Sequence, residues 1–157
     1  MSGSLLQLNT PCVGICSTVY GDDVCRGCKR TSTEVIDWNT LDPIKKQAIF
    51  DRLGLMITKV VEPFIIIHEQ GLLRKQLETF HIRYREDQSA YCDVYYLLRA
   101  GASQIENSKD FGFSIHAPYK NTPLKELFSM IEEEYLTLAQ RYFKNQLPQE
   151  ATALKRQ

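Results

Sequence analysis

Four of the chain's five cysteines lie between residues 12 and 28, with the spacing C-x3-C-x8-C-x2-C. A four-thiolate site needs all its sulfurs to converge about 2.3 Å from a metal ion, and both zinc and iron–sulfur clusters accept such a set. Glycines at positions 14, 21 and 27 allow the bends that would fold one pair over the other. The spacing therefore predicts one metal centre with these ligands: Cys12, Cys16, Cys25 and Cys28.

Two disulfides and a redox-active thiol pair are the alternative uses of these cysteines. The N-terminus has no basic region before its apolar residues and so does not resemble a secretory signal, which predicts a cytoplasmic protein. Disulfides are rare in that reducing compartment, and Cys25-x-x-Cys28 lacks the βαβ context of a thioredoxin-like pair. The charges of Arg26, Lys29 and Arg30 would offset part of the charge of a four-thiolate site.

The metal itself stays open between zinc and an iron–sulfur cluster. The gap of eight residues after Cys16 rules out the spacings of radical S-adenosylmethionine enzymes and of small ferredoxins. A short glycine-rich segment next to a helix is typical of a structural zinc site. The apolar neighbours Val13, Ile15 and Val19 would instead suit a shielded cluster.

Little else in the sequence points to chemistry. Cys92 is expected to be a small buried hydrophobic residue, and His68, His81 and His116 share no ligand spacing. The 19 basic residues equal the 19 acidic ones, which argues against a broad nucleic-acid surface, and the longest apolar run, 64–67, is too short for a membrane span. We expect a metal-binding protein, rather than an enzyme, that acts through an unidentified protein partner. The alternative is an iron–sulfur electron-transfer or redox-sensing accessory protein for an oxidoreductase.

The remaining pattern predicts an α+β protein that is mainly helical, with the cysteine module packed on a helical body that carries a small sheet. We divide it into a flexible leader (1–10), the metal module with its following helices (11–55), a helical α+β region (56–147) and a loose tail (148–157). Helices should begin at the capping box of Thr31 and Glu34, at Asp42-Pro43, near residue 72, at Ser89 and after Thr122-Pro123. Extended segments are expected at 64–68, as a short buried strand, and at 111–116. A third is expected at 80–85, whose alternating residues would leave one face in water, with Arg85 on that face.

The same pattern predicts where three of the helices end and which face of the first helix packs. The second helix should stop near Pro63, the fourth near Gly101 and the last near Lys144. Val35 and Trp38 share one helical face and are expected to seat the module against the body.

The segment from "PCVGIC" to "CRGCKRTSTEVIDWNTLD" resembles the bacterial domain-of-unknown-function 1289 family, in a long form with a C-terminal extension. Members of that family are often described as predicted iron–sulfur proteins, and no reaction is established for them. The resemblance implies the same four cysteine ligands and covers about residues 10–55. It rests on Pro11, Cys12, Gly14, Ile15, Cys16, Cys25, Gly27, Cys28, Arg30, Thr31, Glu34 and Trp38.

Overall fold

A computed structural model describes residues 7–155 of the chain, with side chains through residue 146. As predicted, the fold is α+β and mainly helical, and its strands form a small two-stranded sheet. No helix in the described part is long and apolar enough to cross a membrane. The elements are α1 (Ser32–Asp37), α2 (Pro43–Val61), β1 (Ile65–Ile67), α3 (Gln70–Thr79), α4 (Ala90–Gly101), β2 (Phe113–Ile115) and α5 (Leu124–Lys155). Short 3₁₀ turns lie at Ser17–Tyr20, Trp38–Thr40, Ala102–Gln104, Ser108–Phe111 and Ala117–Tyr119.

Three helices begin at the caps that the sequence predicts. Thr31 and Glu34 form a complete capping box at α1, in which each side chain accepts a backbone N–H of the other residue. The carboxylate of Asp42 accepts the N–H of Lys45 at 2.8 Å at the start of α2. The Ser89 hydroxyl caps α4. Because each cap uses only neighbouring residues, the sequence alone was sufficient to place these starts.

The chain divides into two compact units, which we describe separately. The body unit contains residues 7–10 and 54–132, and the cysteine unit contains residues 11–53 and 133–155. The core of the body unit is built around α4, whose residues 92–98 are all buried. The other residues of that core with 0 % exposure are Val61, Ile65, Leu73, Leu77, Phe113, Leu127 and Ile131.

The two strands of the body unit pair antiparallel, with Ile66 opposite Ser114. Ile65 and Phe113 are fully buried, whereas Ile66 is 37 % exposed. The predicted strands at 64–68 and 111–116 are therefore confirmed, but full burial of the first is wrong. A sheet of two strands covers only one of its faces, so alternate residues of the isoleucine run face solvent.

The predicted extended segment at 80–85 does not form a strand. His81 has a left-handed backbone with φ of 55°, and Tyr84 makes only an isolated bridge with Gln7. The expected solvated face is also wrong at Arg85, which is 7 % exposed. Its guanidinium donates to the carbonyl oxygen of Leu8 at 2.8 Å. This contact with a residue far away in the sequence takes the side chain out of water.

The structure describes part of the predicted leader and part of the predicted tail. Residues 1–6 of the predicted leader lie outside the described residues, while Leu8 is buried and donates its N–H to Tyr84. Helix α5 continues past the expected end at Lys144 to Lys155, and all residues of the stretch "QEATALK" except its threonine are strong helix formers. Residues 148–155 of the predicted tail thus have helical backbone, and 156–157 lie outside the described residues.

Candidate metal centre

The second pair of cysteines lies on a tight turn of the cysteine unit. The N–H of Cys25 donates to the carbonyl of Arg30 at 2.9 Å, and the N–H of Lys29 donates to the carbonyl of Cys25 at 2.8 Å. Val24 and Thr31 close the turn with an antiparallel bridge. Lys29 has a left-handed backbone with φ of 65°, a conformation that glycine adopts at lower cost. Because the chain reverses direction here, Cys25 and Cys28 lie on the same turn.

The segment that carries the first pair packs against this turn. The thiol of Cys25 lies 3.5 Å from the carbonyl oxygen of Ile15, and the hydroxyl of Ser17 accepts the N–H of Arg26 at 2.8 Å. Gly27 faces the same segment, and a Cβ atom on it would lie 2.7 Å from the carbonyl oxygen of Ile15. The glycine is needed there because a side chain would meet the backbone of Ile15.

Cys25 sits where a thiolate is favoured. Its side chain is 1 % exposed, and burial alone would raise its pKa. Hydrogen bonding with the backbone of Cys28, Ser17 and Gly27 outweighs that effect, so that the pKa falls to about 7. Hydrogen bonding to the charged form of a sulfur stabilises a negatively charged ligand.

Cys28 has a cationic neighbour. The Nε of Arg30 donates to the Cys28 sulfur at 3.2 Å, and the guanidinium lies over the ring of Trp38, 4.9 Å from its centroid. Burial raises the pKa of Cys28 more than Arg30 lowers it. Lys29 is also buried, with Nζ 3.1 Å from the carbonyl of Gly27 and 4.9 Å from the ring centroid of Tyr135.

The first pair is placed differently from the second. Cys12 is exposed, and its sulfur accepts the N–H of Gly14 at 3.4 Å. Cys16 is half-buried, with its sulfur 2.9 Å from the hydroxyl of Thr18. Among the described residues, no group of three or more cysteine, histidine or acidic side chains is arranged to hold a metal ion. The two segments are in contact, but their four sulfurs do not share one centre in this structure.

Helix α1 is anchored within the cysteine unit by a half-buried ion pair. The carboxylate of Glu34 accepts one hydrogen bond from each terminal nitrogen of Arg52, both at 2.6 Å. The guanidinium lies 4.4 Å from the ring centroid of Tyr142. Trp38 packs edge-on against Phe50 with ring centroids 5.6 Å apart. The sequence reasoning missed Arg52 and Tyr142, since charge and aromatic character alone do not pair residues so far apart.

A family model described as "Protein of unknown function (DUF1289)" matches residues 10–55. We call residues 10–55, which match this family model, the DUF1289 segment. It contains the cysteine turn, all of α1 and part of α2, and it agrees with the resemblance seen in the sequence. No curated protein and no solved structure is significantly similar to the chain.

Residues outside the DUF1289 segment supply the other candidates for chemistry. Cys92 is fully buried, as expected, and its sulfur donates to the carbonyl of Gly54 at 3.3 Å. Burial raises its pKa, and its sulfur lies near the hydroxyls of Ser89 and Thr58. His68 contacts the Ser114 hydroxyl at 2.6 Å on the exposed face of the sheet.

Proposed function

We propose that this chain is a metal-binding protein whose DUF1289 segment holds one metal centre through its four cysteines. The observation that carries the proposal is the contact between the two cysteine-bearing segments, where the buried sulfur of Cys25 lies 3.5 Å from the carbonyl oxygen of Ile15. The proposed ligands are Cys12, Cys16, Cys25 and Cys28. Binding requires the sulfurs of the first pair to join those of the second, across segments that already touch at Gly27 and Ile15.

The charge around the turn fits a four-thiolate set. Four thiolates with a divalent ion carry a formal charge of about −2, and buried charges are stable when opposite charges lie close to them. Lys29 and Arg30 are 2 % and 4 % exposed, so two cations are buried directly after Cys28. An anionic centre at the cysteines would compensate both.

The centre would have a structural role if it holds zinc and would carry electrons if it holds an iron–sulfur cluster. We favour a non-enzymatic protein of the cytoplasm that acts through contacts with a protein partner. Cys92, a nucleophile candidate outside the segment, contacts a carbonyl and two hydroxyls, which supports this choice over an enzyme.

One observation favours the redox alternative. Cys12 is exposed and Ile15, Val19 and Tyr20 are each at least 71 % exposed, so this edge of the proposed centre lies at the surface with apolar side chains around it. An electron carrier needs its cluster close to the surface that meets its partner. A cluster here would make the chain an accessory protein of an oxidoreductase.

Metal analysis of protein purified without oxygen tests the proposal. We expect one zinc ion or one iron–sulfur cluster per chain, and a brown protein whose broad absorption bleaches on reduction would establish the redox alternative. Changing any one of the four cysteines to serine should abolish stoichiometric binding. Cys92→Ser is the matched control and should retain the metal. Freshly purified protein that holds neither metal, and binds neither on reconstitution, would overturn the proposal.

A further inference from the structure

Arg30 lies between one proposed ligand and one aromatic ring. Its Nε donates to the sulfur of Cys28 at 3.2 Å, and the other side of the guanidinium is covered by Trp38. The residue is only 4 % exposed. A solvated arginine would move freely around a surface thiol. The Arg30 side chain is instead buried, and its Nε–H group donates a hydrogen bond to the sulfur.

The surrounding backbone fixes this position. The left-handed conformation of Lys29 reverses the chain, and the carbonyl of Arg30 accepts the N–H of Cys25. Trp38 is itself buried against Phe50, so the ring that supports the guanidinium is held in place. Arg30 is therefore hydrogen-bonded to both cysteines of the turn, through its backbone carbonyl to Cys25 and through its side chain to Cys28.

We infer that Arg30 is a positioning residue for the proposed metal centre, which holds the Cys28 sulfur in place by its hydrogen bond and would offset the negative charge of the bound thiolates. This inference rests on the proposed function. Groups that hydrogen-bond to metal ligands without binding the metal typically contribute about 10–100-fold to affinity. Arg26 provides a contrast within the same turn, because it is exposed and pairs with Asp22 instead of a sulfur.

Cobalt(II) and zinc(II) titrations of Arg30→Met test the inference, since methionine keeps apolar packing on Trp38 but has neither charge nor donor. We expect about 10–100-fold weaker binding of both ions. We also expect the thiolate-to-cobalt absorption band to move to longer wavelength, because the sulfur loses its hydrogen bond. Arg26→Met removes the same charge from the same turn and should change affinity less than about threefold. Arg30→Lys should bind with intermediate affinity.

The outcomes separate this inference from the proposed function. Wild-type protein that binds neither ion would overturn both. Tight wild-type binding with unchanged affinity and spectrum in Arg30→Met would overturn the role of Arg30 alone. If Arg30→Met does not fold, Arg30→Lys decides the question, because it keeps the charge but not the Nε donor. A zinc affinity and a cobalt band that both match wild type in Arg30→Lys would then refute the inference.

Discussion

The carbonyl oxygen of Ile15 lies 2.7 Å from the position that a Cβ atom on Gly27 would occupy. Cγ2 of Val13 would be closer still, at 2.5 Å. Side-chain carbons are essentially never found so near other atoms, so the two cysteine-bearing segments meet at a point that only glycine allows. The turn therefore packs closely against the preceding segment.

Gly27→Ala should separate these segments. We expect the free energy of unfolding to fall by about 1–3 kcal/mol, the usual cost of overpacking, and metal affinity to fall with it. Gly71→Ala in α3 is the control, because a Cβ there has no neighbour within 4 Å. It should leave metal affinity unchanged and raise stability by at most about 1 kcal/mol, the difference in helix propensity. Urea unfolding and zinc titration measure the two effects, and equal midpoints for Gly27→Ala and wild type would contradict this packing.

The ion pair between Glu34 and Arg52 predicts a dependence of stability on acid. Burial opposes ionisation of Glu34, but hydrogen bonds from Arg52 and Thr31 hold its pKa below the usual 4.5. A lowered pKa in the folded state means that the stabilisation is complete above pH 4.5 and is lost as the pH falls through the lower value.

Glu34→Gln should therefore cost about 2 kcal/mol at pH 7, the typical value of a hydrogen bond to a charged group. The cost should shrink as acid protonates the wild-type carboxylate. Exposed Glu133→Gln in α5 is the comparison and should change stability by less than about 0.5 kcal/mol. Urea unfolding at several pH values tests this, and a cost that stays the same at pH 3 and pH 7 would rule it out.

Asp93 predicts the opposite dependence. Its side chain has no exposure, and its Oδ1 has no hydrogen-bond partner among the described residues. Burial raises its pKa to about 6, although Arg74 and Gln70 act to lower it. Because the folded pKa lies above the unfolded 3.8, the ionised carboxylate destabilises the folded state increasingly as pH rises from about 4 through 6.

Asp93→Asn keeps the shape of this side chain without its charge. Relative to wild type, the variant should gain roughly 3 kcal/mol of stability between pH 4 and pH 7, because a tenfold change in proton affinity corresponds to about 1.4 kcal/mol. The comparison is made by urea unfolding of both proteins at each pH. A difference between them that does not change with pH would show that Asp93 is not the responsible group.

The five thiols of reduced, metal-free protein should react with iodoacetamide in a definite order. Cys12 is exposed and should be modified first. Cys92 is fully buried, and burial raises its pKa, so its thiolate form is both rare and inaccessible. Mass spectrometry after short exposure measures the order. Modification of Cys92 at the same rate as Cys12 without denaturant would show that the body unit opens readily.

Features that depend on neighbouring residues could be predicted from the sequence. The capping box of Thr31 and the caps at Asp42 and Ser89 were placed correctly, because a cap needs only the next three residues. The DUF1289 segment was also recognised from residue types at fixed spacing. That the four cysteines bind one metal remains a prediction from the same spacing.

Features that join distant residues could not be predicted in this way. The pattern at 80–85 alternates like a strand, but Arg85 is buried by the backbone of Leu8. Arg52 is likewise held against Tyr142, 90 positions further along the chain.

Residue type and local spacing thus determined where helices begin and which side chains are candidate ligands. Only the tertiary structure decided which charged groups leave water, and beside which partners. The physical reason is that the cost of burying a charge is offset by groups supplied from other segments, such as the ring of Trp38 beside Arg30 and that of Tyr135 beside Lys29.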